Sequence, residues 1–124
     1  MDSAKLKGIC KNCSYFKTTF CGSYLMNITE KIKKFYFPAL NKERNQIIAG
    51  NIYLREKETK KGILFYDSEL LINKESKTDK IIFSCNYGTI YDAEYFCPSC
   101  KKHSLYFTHQ IYIYNRTQRD SYLK

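Results

Sequence analysis

Two Cys-x-x-Cys pairs stand far apart in this chain, Cys10 with Cys13 and Cys97 with Cys100. Two residues between cysteines let both sulfurs reach one ion, and two such pairs complete a tetrahedral thiolate set for zinc. The 83 residues between Cys13 and Cys97 then become a loop closed by metal. One structural Zn2+ held by Cys10, Cys13, Cys97 and Cys100 is therefore expected to tie the N-terminal region to the C-terminal region. The second pair reads Cys97-Pro98-Ser99-Cys100, a tight knuckle with a strand predicted on each side.

Other uses of these cysteines fit less well. Six cysteines could form three disulfides. However, the stretch 1–9 is polar, with no apolar core of a secretion signal, and the two short gaps have metal-site spacing. A cytoplasmic, reducing setting is expected. Cys10-x-x-Cys13 does not follow a strand in a βαβ pattern, which argues against a thioredoxin-like dithiol. A catalytic zinc keeps a position open for water, and four thiolates leave none. The deaminase pattern fails as well. Asp92-Ala93-Glu94 lies too close to Cys97, and Pro98 falls inside the pair rather than before it. No nucleophile elbow or phosphate-cradling glycine loop is present, so the expected protein is not an enzyme and has no small-molecule substrate. No apolar run has the length of a membrane span.

Cys21 and Cys85 sit beside Phe20 and Phe83 and read as small buried thiols. The alternative is a second zinc site built from Cys21, Cys85, His103 and His109. Otherwise the two histidines are expected on the surface or against phosphate.

The formal net charge is +9, distributed as +8 over residues 1–62, −3 over 63–100 and +4 over 101–124. A basic surface attracts a phosphate backbone. Lysine outnumbers arginine 17 to 4, which a compositional bias would also produce, so individual lysines carry little weight. Position carries more. Lys5, Lys7, Lys11 and Lys17 surround the first knuckle, and Lys101, Lys102 and His103 follow the second. A shared metal would bring these remote groups together. Arg116 and Arg119 add charge near the C-terminal end. Lys31, Lys33 and Lys34, and Lys57, Lys60 and Lys61, are further basic candidates, and Tyr112 or Tyr114 could stack on unpaired bases.

Hydrophobic spacing places the elements. Residues 1–9 read as a basic lead-in, and 14–20 as a short strand. Leu25, Ile28, Ile32 and Phe35 recur at helical spacing, predicting an early amphipathic helix opened at Ser23 or Asn27 and stopped by Pro38. Residues 39–49 fit either a helix or a loop. Ile52-Tyr53-Leu54 and Ile63-Leu64-Phe65-Tyr66 are predicted to pair as a hairpin across a charged turn over 56–62. Further strands are expected at 70–72, at 81–85, at 94–96 leading into the second knuckle, and from Ser104 onward, with a polar tail from about 115. The expected fold is α+β: one domain over 1–124, mostly antiparallel sheet built on zinc knuckles.

Cys97-Pro98-Ser99-Cys100-Lys101-Lys102-His103-Ser104 resembles the zinc knuckles of small eukaryotic ribosomal proteins and of RNA polymerase subunits. The wide separation of the pairs also resembles β-tent zinc domains, in which distant knuckles pin two sheets, although the early helix and long insertion depart from them. The resemblance implies a zinc-ribbon or β-tent-like fold, and no residue's role is taken from it. Together these features predict a zinc-containing RNA-binding protein that works with ribosomal RNA and ribosomal proteins. The alternative is a small zinc-ribbon factor of a transcription machinery.

Overall fold

The computed structural model describes residues 3–22 and 35–113. The predicted early helix from Ser23, the lysines at 31, 33 and 34, and the tail with Tyr114, Arg116 and Arg119 lie outside the described residues. Among those described, the chain forms ten strands and one six-residue α-helix.

The basic lead-in is in fact the first strand, β1 (Ser3–Cys10). Ala4, Leu6, Gly8 and Cys10 are buried while Lys5, Lys7 and Ile9 are half-exposed. That alternation is the period-two mark of a sheet with one face in the core. β2 (Phe16–Cys21) pairs with one edge of β1, and β10 (His103–Ile113) with the other, both antiparallel. β9 (Glu94–Phe96) and β6 (Ile72–Asn73) extend the sheet to the order β2-β1-β10-β9-β6. The predicted strand at 70–72 is thus displaced to Ile72–Asn73, and Leu70 is 73% exposed.

A second sheet, ordered β4-β3-β5, comes from β3 (Tyr36–Asn41), β4 (Gln46–Asn51) and β5 (Ile63–Phe65). Pro38 therefore lies inside a strand rather than stopping a helix. Its carbonyl accepts from Tyr66 N–H, so its nitrogen faces that same side, where β5 has already ended at Phe65. The missing N–H costs the ladder nothing there. Residues 39–49 resolve as a hairpin. Asn41 Oδ1 accepts from the N–H groups of Glu43 and Arg44, and Asn45 takes a left-handed φ of 53° that closes the turn.

The hairpin expected between 52–54 and 63–66 is not formed. Ile52–Leu54 is a 3-10 turn capped by Asn51, whose Oδ1 accepts from Tyr53 N–H at 3.2 Å. The charged run then forms α1 (Arg55–Lys60). Glu56 and Glu58 lie in its first turn and Lys57 and Lys60 toward its end, the sense that the helix dipole favours. β5 pairs with β3 instead. β7 (Ile81–Cys85), the strand expected at 81–85, pairs with β8 (Gly88–Tyr91) in a separate hairpin that turns at Asn86-Tyr87.

β4 lies against the inner face of the first sheet. A Cβ on Gly8 would stand 3.1 Å from Ile47 Cδ1 and 3.2 Å from Phe107 Cε1, so the strands approach as closely as a missing side chain permits. Leu6, Ile47, Leu105 and Phe107 are all buried in this contact, each contributing about 1.5–3 kcal/mol of apolar burial. No helix among the described residues is long and apolar enough to cross a membrane.

Candidate metal centre

Both knuckles are hairpin turns of the first sheet. The first links β1 to β2, the second links β9 to β10. β1 and β10 are neighbours in register, with Cys10 opposite Leu105, so the two turns project from the same end of the sheet. Lys11 N–H donates to the Ser104 carbonyl at 2.8 Å and fastens one turn to the other.

The turns share a backbone pattern. Cys10 N–H donates to the Tyr15 carbonyl at 3.0 Å, and Cys97 N–H donates to the Lys102 carbonyl at 2.8 Å, five residues on in each case. Cys10 Sγ accepts from the N–H groups of Asn12 and Cys13, both at 3.3 Å. Cys97 Sγ receives the N–H groups of Ser99 and Cys100 in the corresponding places. In the second turn Lys101 takes a left-handed φ of 64°, which costs a residue with a Cβ about 1 kcal/mol relative to glycine. Each turn thus aims amide hydrogens at a sulfur, an environment that favours thiolate.

The four sulfurs converge. Cys10 Sγ is 3.7 Å from Cys100 Sγ, Cys13 Sγ is 3.8 Å from Cys97 Sγ, and all four lie within 4.8 Å of one another. Disulfide sulfurs would be about 2.05 Å apart, and all six cysteines are free thiols. A tetrahedral ion with bonds of about 2.3 Å has ligand–ligand edges of about 3.8 Å. The cavity bounded by the four sulfurs therefore has the size for one such ion. Cys10 and Cys97 are buried and Cys13 and Cys100 half-exposed, a centre shielded on its core side.

Without a cation the cluster does not ionise evenly. Burial pushes the Cys97 thiol up to about 12. The hydrogen bond with Ser104 brings Cys100 down to about 6. Burial opposes ionisation of Cys10, but Ser104 and the two amide donors outweigh it and lower this thiol too. Ser104 Oγ stands 3.1 Å from Cys10 Sγ and 3.4 Å from Cys100 Sγ, bridging the two knuckles. Four adjacent thiolates repel one another, and a divalent cation is what lets all of them stay deprotonated. The chain can hold one metal ion here.

The second zinc site does not assemble. The four cysteines above are the metal-compatible cluster among the described residues. Cys21 is fully buried, and burial first and Cys85 second raise its thiol well above the ordinary value. His103 and His109 sit six residues apart on β10, on the order of 20 Å along a strand. His103 is exposed beside the Phe96 ring, whereas His109 packs against Phe83 with Nε2 hydrogen-bonded to the Ile82 carbonyl. The expected surface pair of histidines is thus only half present.

The basic residues distribute as follows. Lys5 and Lys7 share the outward face of β1. Lys11 is exposed in the first turn with Nζ 5.2 Å from the Tyr106 ring centroid. Lys17 is exposed but pairs with Gly8, on the opposite face parity from Lys7. Lys102 is exposed in the second turn, and Lys101 Nζ turns to Asn45 Oδ1 at 2.6 Å, toward the β3–β4 turn. Reasoning from sequence missed Ser104, Tyr15, the exposed Phe16 ring on β2 and the half-buried Tyr106 ring on β10. Tyr15 OH accepts from Ile47 N–H at 3.0 Å and joins the first knuckle to β4. The alternation of small and charged residues in β1 was the one available signal for the outward face.

No protein-family model matches the chain, and no curated protein or solved structure is significantly similar to it.

Proposed function

We propose that this chain is a non-catalytic, zinc-stabilised RNA-binding protein of the cytoplasm that associates with a large ribonucleoprotein, foremost the ribosome. The ion is zinc because four thiolates in a tetrahedron suit it and leave no position for reacting water. Two hairpins abutting at their knuckles support a zinc-ribbon-like reading, in which the β3–β4–β5 sheet is an insertion. The observation that carries the reading is the Lys11–Ser104 backbone bond at 2.8 Å. It fastens the turn of Lys11 to the segment that directly follows Lys102 and His103, ninety or so positions away in sequence. This supports reading the two remote segments as one basic end.

Fluorescence anisotropy of the metal-loaded chain on ribosomal RNA fragments tests it. The logarithm of the affinity is expected to fall linearly with the logarithm of salt. The pair Lys11→Glu with Lys102→Glu is expected to weaken binding by on the order of ten-fold at low salt and to flatten that slope. Unchanged affinity contradicts the proposal.

A second reading, a zinc-ribbon factor bound mainly to protein in a transcription machinery, is favoured by one feature. Leu70 is 73% exposed and borders a cavity of about 270 Å³ with Leu40, Leu64, Leu71 and Phe96. Co-purification separates the two, with ribosomal RNA in one case and polymerase subunits in the other.

A further inference from the structure

The outward face of β2, β1 and β10 carries a row of side chains that the metal centre does not use. Register places Ile9 opposite both Phe16 and Tyr106, so the three run in line across the sheet, next to the knuckle turns. Phe16 is 62% exposed, unusual for a phenylalanine in a strand. Lys7 Nζ stands 4.5 Å from the Phe16 ring centroid and Lys11 Nζ 5.2 Å from that of Tyr106. The next row is Thr18, Lys7 and Thr108, hydroxyls on either side of an ammonium. The segments forming β1, β2 and β10 contain no aspartate or glutamate.

We infer that this face binds an unpaired stretch of RNA, with bases stacked on Phe16 and Tyr106 and phosphates held by Lys7 and Lys11. The inference rests on the RNA-binding reading above and adds the strandedness of the target and the surface that recognises it. Charge complementarity selects the partner, because a face whose strands carry lysines, interleaved rings and no acidic residue matches a polyanion carrying flat apolar bases. An ammonium over an exposed ring is a weak contact, and a stacked base is a stronger one. Exchange of one for the other frees each lysine to meet a phosphate beside the base it has yielded to. Bases inside an A-form duplex are stacked on each other and cannot reach the rings. Phe16 and Tyr106 are separated by two interstrand spacings, about 9.6 Å, which leaves Ile9 as an apolar floor between them.

The test uses the full metal-loaded chain with a twelve-nucleotide oligouridine and a duplex RNA of equal length. Single-stranded RNA is expected to bind about ten-fold more tightly than duplex. Phe16→Ala is expected to lower single-strand affinity about ten-fold with an unchanged salt slope, and Phe16→Tyr to restore it. Lys7→Gln is expected to reduce the slope by about 0.7. Phe16 is largely solvent-exposed, so its replacement leaves the fold intact, which circular dichroism checks. Equal affinity for duplex, or wild-type single-strand affinity in both Phe16→Ala and Tyr106→Ala, overturns the inference, assigns the face to a protein partner and leaves the RNA-binding reading standing. Failure to bind either RNA at low salt overturns both.

Discussion

Cys10 Sγ and Cys100 Sγ lie 3.7 Å apart although ninety residues separate them in the chain. Their hairpins meet because β1 and β10 are adjacent strands, and Ser104 reaches both sulfurs. The metal centre is thus continuous with the central pair of the largest sheet. A change at one knuckle should be felt across the fold.

Removal of one ligand is the sharpest case. Cys97 is fully buried among the four sulfurs. Binding energy of a structural ion is folding energy, and an ion present at a thousand times its dissociation constant stabilises by about 4 kcal/mol. Cys97→Ser is expected to lose that amount, a fall in Tm on the order of 15 °C. Wild-type protein treated with a strong chelator should melt at the same lowered temperature in differential scanning calorimetry, and addition of zinc should rescue it but not the variant.

The remaining cysteines should behave oppositely. Cys21 is buried away from the cluster, and Cys85 is tied to its own hairpin, with Sγ 3.5 Å from the Gly88 carbonyl. Cys21→Ala and Cys85→Ala are expected to cost about 1–2 kcal/mol through lost packing. Native mass spectrometry should still find one metal per chain in each.

Tyr15 links the first knuckle to the second sheet through one hydrogen bond. Ile47 N–H lies on the outer edge of β4 and donates to Tyr15 OH. Tyr15→Phe keeps the ring but leaves that amide without its partner, a loss of about 1–3 kcal/mol. Urea denaturation should show a lower midpoint with an unchanged m-value, and the metal content should stay the same.

Tyr66 gives the fold an alkaline limit. It is fully buried, donates its hydroxyl to the Phe96 carbonyl at 2.9 Å, and is pushed by burial well above the ordinary tyrosine value. The folded state therefore keeps this proton when the unfolded chain has lost it. The associated stability is complete below about pH 10 and declines as pH rises beyond, by up to about 1.4 kcal/mol per pH unit. Equilibrium unfolding from pH 9 to pH 11 should show that slope, and Tyr66→Phe should have a shallower one.

How much of this was legible in the sequence depended on the kind of constraint. The cysteine spacing could be read directly, since two intervening residues let a turn present both sulfurs wherever the chain goes in between. β7 and β9 were legible because apolar runs were bounded by turn residues, whereas β8 (Gly88–Tyr91) was not read as a strand. β1 was not, because Lys5 and Lys7 looked like a charged leader until pairing on both sides revealed Ala4, Leu6 and Gly8 as the inner face. Pro38 misled because a proline tolerated where a neighbouring strand has just ended is indistinguishable, in sequence, from one that stops a helix. The 55–60 helix was hidden by its charge, and no side-chain cap marks its start, since Leu54 holds the N-cap position. The face of Phe16, Ile9 and Tyr106 depends on register across three strands, which no local pattern encodes.

The central claim is that one ion is gripped by sulfurs from both knuckles. X-ray absorption at the zinc edge of the purified chain measures it most directly. Four sulfur scatterers at about 2.3 Å, one zinc per chain, and loss of that shell in a Cys10→Ser, Cys97→Ser double variant are the predicted result. A shell containing nitrogen or oxygen, fewer than four sulfurs, or cystine bonds in place of metal would contradict the account.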